Sequence, residues 1–190
     1  MSIVRAFLVG ASLILSAACT TAIAQQPSPQ PSMQRQASVA SPYGAMSFLI
    51  GEWDTSDASG RAFAVQRFRW GPNQSYIWFA TSTLTGDHEA IHFEGMFVWN
   101  FANNNADFLV VLEPGSGSQE RGTLHAEADG AIVRDVLATD ARGHAQTFRQ
   151  TFGRTGEDTA VTSLMRRKAD GTWQPNFPGS DNLIMTRRPA

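Results

Sequence analysis

The chain has 190 residues, 42% of them hydrophobic, with 15 basic against 17 acidic side chains and a formal net charge of −2. That near-neutral balance argues against nucleic acid or an anionic membrane surface as partner. A single cysteine, Cys19, rules out an internal disulfide framework and thiolate metal centres, so stability rests on a hydrophobic core.

The N-terminus reads as an export signal. Arg5 supplies a positive start, Ala6 to Leu15 an apolar stretch, and Ala22-Ile23-Ala24 a small-x-small cleavage site before Gln25. Residues 1–24 are therefore predicted to be a signal peptide, and their apolar run is short for a membrane span. A second route is open, because Leu15-Ser16-Ala17-Ala18-Cys19 resembles a bacterial lipoprotein box, and cleavage there leaves Cys19 as a lipid-anchored N-terminus. Either route places the domain outside the cytoplasm, periplasmic or secreted. Residues 25–42 are rich in Gln, Pro and Ser and carry too little apolar surface to fold, so a disordered leader is expected. Residues 43–190 suit one domain with a sizeable core.

Met46 to Ile50 is read as a short helical turn, and from there the hydrophobic period is two. Ten strand-like runs follow: 52–57, 62–70, 75–83, 89–99, 106–113, 119–127, 131–138, 144–152, 158–167 and 182–188. Turn chemistry separates them, including Ser59-Gly60, Gly71-Pro72-Asn73, Asp129-Gly130 and Asp170-Gly171. Short connections imply antiparallel neighbours, and ten strands leave exposed edges unless the sheet closes. The expected fold is all-β: a single antiparallel up-and-down barrel of about ten strands.

Gly51-x-Trp53 on the first strand and Arg187-Arg188 on the last resemble the signature of the calycin superfamily, the lipocalin and fatty-acid-binding barrels. The resemblance implies that a basic side chain of the final strand packs over the first-strand tryptophan. Gly51, Trp53 and Arg187 are the expected closure of one barrel end, with a cation–π contact. His92-Phe93-Glu94-Gly95-Met96-Phe97-Val98-Trp99-Asn100 and Phe177-Pro178-Gly179-Ser180-Asp181 look more specifically like bacterial secreted barrels of the domain-of-unknown-function 1579 type. That likeness spans most of Phe48 to Arg188 and implies fold and size rather than activity. Haem-binding nitrobindin-like barrels also start with Gly-x-Trp, but they hold iron through a late histidine. Here none follows His144, and no cofactor is expected.

Several polar residues are candidates for a site. His92 and Glu94 alternate on one strand and can share a proton relay if they face a cavity. Phe93, Gly95, Phe97 and Trp99 form the opposite, more apolar face; if that face lines the interior, His92 and Glu94 face solvent. Arg67 and Arg69 share a face and can clamp a carboxylate, or simply lie on an exposed wall. Gln146, Phe148, Gln150 and Phe152 share another face, whose mixture of amides and rings suits a ligand cavity or a self-filled barrel. The expected ligand-binding set is Arg67, Phe93, Phe97, Trp99, Phe148 and Gln150. His125 and Glu127 repeat the His/Glu spacing without a third close ligand, so no metal site is expected.

Three functions remain open on these residues. The first is a non-enzymatic barrel binding a small, mainly apolar molecule. The second is a barrel enzyme of isomerase, cyclase or hydrolase type using His92 and Glu94. The third is a filled structural module that works through its outer surface, which predicts an exposed apolar patch.

Overall fold

The computed structural model describes residues 41–86, 88–113 and 115–189. The predicted signal peptide, Cys19 and nearly all of the expected leader lie outside the described residues. A 3-10 turn over Gly44–Leu49 precedes eleven strands: β1 (Gly51–Ser56), β2 (Ala62–Trp70), β3 (Ile77–Thr85), β4 (His88–Asn100), β5 (Asn105–Leu112), β6 (Ser118–Ala126), β7 (Ile132–Thr139), β8 (Ala145–Arg154), β9 (Thr159–Arg167), β10 (Trp173–Pro175) and β11 (Leu183–Arg187). From β1 to β9 each strand pairs antiparallel with the next, and β9 pairs with β11, which pairs with β1. The sheet is a closed barrel of ten strands, with β10 added beside the end of β9. Closure removes the open edges that would otherwise invite pairing with another chain. The additional strand β10 has only three residues, too short to show a period, and Pro175 at its end donates no ladder bond.

One residue in two points inward, and the inward residues fill one half of the barrel. Phe68, Phe79, Phe97 and Phe108 on four consecutive strands touch in series, with ring centroids 5.1, 5.4 and 5.6 Å apart. Phe152 meets Phe68 from across the barrel at 5.9 Å. The 3-10 turn plugs the end below them with Met46 and Leu49, both buried. Tyr43, also buried, stands edge-on to Trp70 and Trp99, each at 5.7 Å. Its hydroxyl accepts a bond from the Trp99 backbone N–H at 2.7 Å. Burial raises the Tyr43 pKa above its ordinary value, partly offset by that bond.

Trp53 and Arg187 complete this plug. Trp53 is fully buried, and its indole N–H donates to the Leu49 carbonyl at 2.7 Å. The Arg187 guanidinium lies 4.2 Å from the Trp53 ring centre and donates to the carbonyls of Ile50 and Phe48 at 2.5 and 2.9 Å. Its Nε also meets the Asp158 carboxylate at 3.0 Å. Gly51 lets this happen, because a Cβ there would run into the guanidinium. Gly95 and Gly122 mark a second constraint: a Cβ at either would overlap a backbone carbonyl of the neighbouring strand, Leu109 and Asp135 respectively.

On the outer wall, Arg67 bridges Glu52 and Glu89 and donates to Ser82 at 3.0 Å, while Arg188 bridges Asp54 and Glu89. The Arg67 hydrogen bond, followed by Ser82 and the nearby positive charges, holds the Glu89 carboxyl down to about 2, against an ordinary value of 4.5. A depressed carboxyl contributes stability above its unfolded pKa and loses it as pH falls toward its folded one. Thermal melts should therefore lose stability between about pH 4.5 and pH 2, and Glu89→Gln should flatten part of that slope. Solvent reaches this network, so the contribution is about 1 kcal/mol or less. An unchanged acid profile in the variant would show that the bridge does not couple to folding.

Candidate ligand cavity

At the end opposite the plug the barrel is not filled. A cavity of about 430 Å³ opens there, with Phe93, Leu112, Phe148 and Leu164 on its walls and Glu120 and Gln146 among its polar groups. The β7–β8 turn forms its lip through Asp140 and His144, which are bonded to each other at 2.9 Å. The volume lies within the range of small-molecule pockets, and apolar walls with a few convergent polar groups are the composition such pockets share.

A buried polar chain runs from this cavity into the core. Arg134, 5% exposed, forms an ion pair with Glu120 and donates to Gln150 Oε1 at 3.0 Å. The Gln150 amide continues to Thr162 Oγ1 at 3.4 Å. The guanidinium lies 4.6 Å from the Phe108 ring centre and 5.2 Å from that of Phe79, so two aromatic faces replace part of its lost hydration. On another part of the wall Gln66 donates to Thr55 at 3.0 Å. Of the four buried side-chain polar atoms left without a partner among the described residues, two belong to these groups, the Arg134 Nε donor and the Gln66 Oε1 acceptor. An unused buried donor and acceptor give a polar guest or a water something to bind.

The structure divides the residues singled out from the sequence. Phe93 and Phe148 line the cavity, and Gln150 belongs to the polar chain behind it. Phe97 and Trp99 face inward too, but toward the closed half, where Phe97 joins the aromatic series and Trp99 packs on Tyr43. Arg67 is not brought together with them. It stands on the outer wall with both carboxylate partners there, because its strand parity opposes that of Gln66 and Phe68.

His92 and Glu94 are not brought together either. A bulge between Thr81 and Ser82 leaves His92 without a partner on β3 and interrupts the alternation their pairing assumed. His92 meets Glu113 at 3.3 Å, and the exposed Glu94 accepts from the Trp78 indole at 3.0 Å. His125 bonds Glu127 at 3.2 Å, and among the described residues no three His, Cys, Asp or Glu side chains are grouped to hold a metal. A larger depression of about 750 Å³ lies at the plugged end around Gly51, Asp158 and Arg187, whose polar groups are already spent on barrel closure.

Glu120 and Arg134 did not stand out in the sequence, although a signal exists. Arg134 has the parity of Ile132 and Val136, and Glu120 that of Gly122 and Leu124. A charge in an apolar register of a closed sheet points inward.

No known protein family and no curated protein matches this chain. Among the described residues, no helix is long and apolar enough to cross a membrane.

Proposed function

We propose that this chain is an exported barrel of the calycin type that binds a small, mainly apolar molecule in the cavity at its open end. The observation that carries the reading is the half-filled interior: one half is packed solid with aromatic rings, and the other keeps about 430 Å³ walled by Phe93, Leu112, Phe148 and Leu164. Burying apolar ligand surface there yields about 25 cal/mol per Å², enough for micromolar affinity without covalent chemistry. Glu120 and Gln146 at the wall suit a polar head group on such a guest. The Gly-x-Trp start and terminal arginines support the calycin assignment, and the small-x-small site before Gln25 supports export.

Titration with an apolar fluorescent dye or a medium-chain alcohol tests this. Saturable uptake at micromolar concentration is expected, with a change in tryptophan or dye emission. Ala138 lies on the cavity wall, so Ala138→Trp fills the space and should weaken uptake tenfold or more. His92→Ala should leave affinity within about twofold, since His92 is not among the residues that line the cavity. A barrel enzyme using His92 also predicts retained binding, but with turnover of the guest reduced by about 100-fold or more. Absence of uptake by a well-folded protein would remove the binding reading.

A further inference from the structure

We propose that two copies of this chain associate face to face through the outer surfaces of β4 and β5. This goes beyond ligand binding and uses the opposite side of the wall.

Met96 and Val98 of β4 and Leu109 and Val111 of β5 point outward, each 44–50% exposed. They are cross-strand neighbours rather than scattered residues, because Met96 pairs with Leu109 and Glu94 with Val111. Ile91, 49% exposed, extends the strip along β4. Contiguous apolar side chains on an outer wall mark contact surfaces, whereas single ones need no explanation. The closed barrel offers no free edge at β4 or β5, so a partner must pack on the face.

The charges beside the strip identify that partner as a second copy. Glu94 on β4 and Arg121 on β6 flank β5 on opposite sides, and among the described residues neither forms an ion pair. Glu94 receives the Trp78 indole on one oxygen and keeps the other free. A two-fold axis running along β5 stacks Leu109 and Val111 on their own copies. It also lays β4 of each copy over β6 of the other. Arg121 sits one inward–outward repeat along from the position opposite Glu94, because Glu94 shares a row with Val111 and Gln119 while Arg121 shares one with Leu109. An arginine side chain spans that step. The Leu109 and Val111 rows are thus self-complementary, as an isologous contact requires, whereas Asp107 on the next row meets its own copy at the axis and opposes the contact in part. The apolar strip forms the centre; a standard contact buries about 800 Å² per partner, so the polar flanks must take part as well.

Sedimentation of the purified protein over a concentration series tests the proposal. A reversible dimer is expected, and Leu109→Glu should weaken it tenfold or more. Glu94→Arg and Arg121→Glu should each be monomeric, since each places like charges opposite one another. Their equimolar mixture should dimerise again, because every contact then joins opposite charges. Circular dichroism of each variant should match the wild type, as these side chains are solvent-exposed. Wild-type protein that stays monomeric to roughly 100 μM overturns the proposal. So does a dimer indifferent to all three substitutions, or a mixture that stays monomeric. A monomer that co-floats with lipid vesicles through this strip would overturn it as well.

Discussion

Trp53→Ala is expected to lower stability by about 3–5 kcal/mol, the largest loss foreseen for any single substitution in the plug. The indole is fully buried, so its removal leaves a cavity that the neighbouring closed strands cannot collapse into. Two further losses accompany it. The Leu49 carbonyl loses its indole donor, and the Arg187 guanidinium loses the ring 4.2 Å away. For a domain of this size the melting temperature should fall on the order of 10 °C. Trp53→Phe keeps an aromatic face and loses the N–H, so its cost should be smaller, about 1–2 kcal/mol. Urea unfolding at unchanged m value measures both. A loss below about 1 kcal/mol for the alanine variant would mean that the plug does not depend on this ring.

The second large effect concerns the ion pair inside the barrel. Glu120→Ala strips the compensating charge from Arg134, whose side chain is only 6% exposed, and should cost about 3–5 kcal/mol. The asymmetry of the pair makes a sharper test. Glu120 lines the cavity, where water reaches it, so Arg134→Met should be milder than Glu120→Ala. Replacing both, as Glu120→Leu with Arg134→Met, should recover most of the loss, because paired apolar side chains leave no uncompensated buried charge. Denaturant melts of Glu120→Leu, of Arg134→Met and of the double variant form the cycle that reads this coupling. Additive losses would show that the two charges act independently, and the polar chain through Gln150 to Thr162 would then lose its anchor.

The two effects divide the barrel by what each half asks of its side chains. Below, rings and a tyrosine hydroxyl satisfy one another and leave no space. Above, one charge pair and several amides hold a wall that is partly wet. Affinity for an apolar guest and tolerance of substitution should both be concentrated in the upper half, where Phe93, Phe148 and Leu164 have a free side.

Much of this was legible in the chain itself. Period-two runs and Asp-Gly or Gly-Pro turns located ten strands to within about two residues, because alternation and turn chemistry are local properties. Closure into a barrel followed from the cost of open edges. The shared face of Gln146, Phe148, Gln150 and Phe152 was readable as an inward one, though not which part of it borders open space. Tertiary structure alone decided the rest. The parity of β4 was hidden by a bulge opposite Thr81 and Ser82, which no pattern in the residues announces and which separates His92 from Glu94. Arg67 and Arg134 look alike in sequence, each a basic residue within an alternating strand. Arg134 shares the parity of Ile132 and Val136, which points it inward, but that it meets Glu120 there depends on the register of neighbouring strands, set by pairing across the whole sheet. The cavity, too, belongs to no local segment: it is the volume left after the inward side chains of separate strands have met, and only their closure around a common axis determines it.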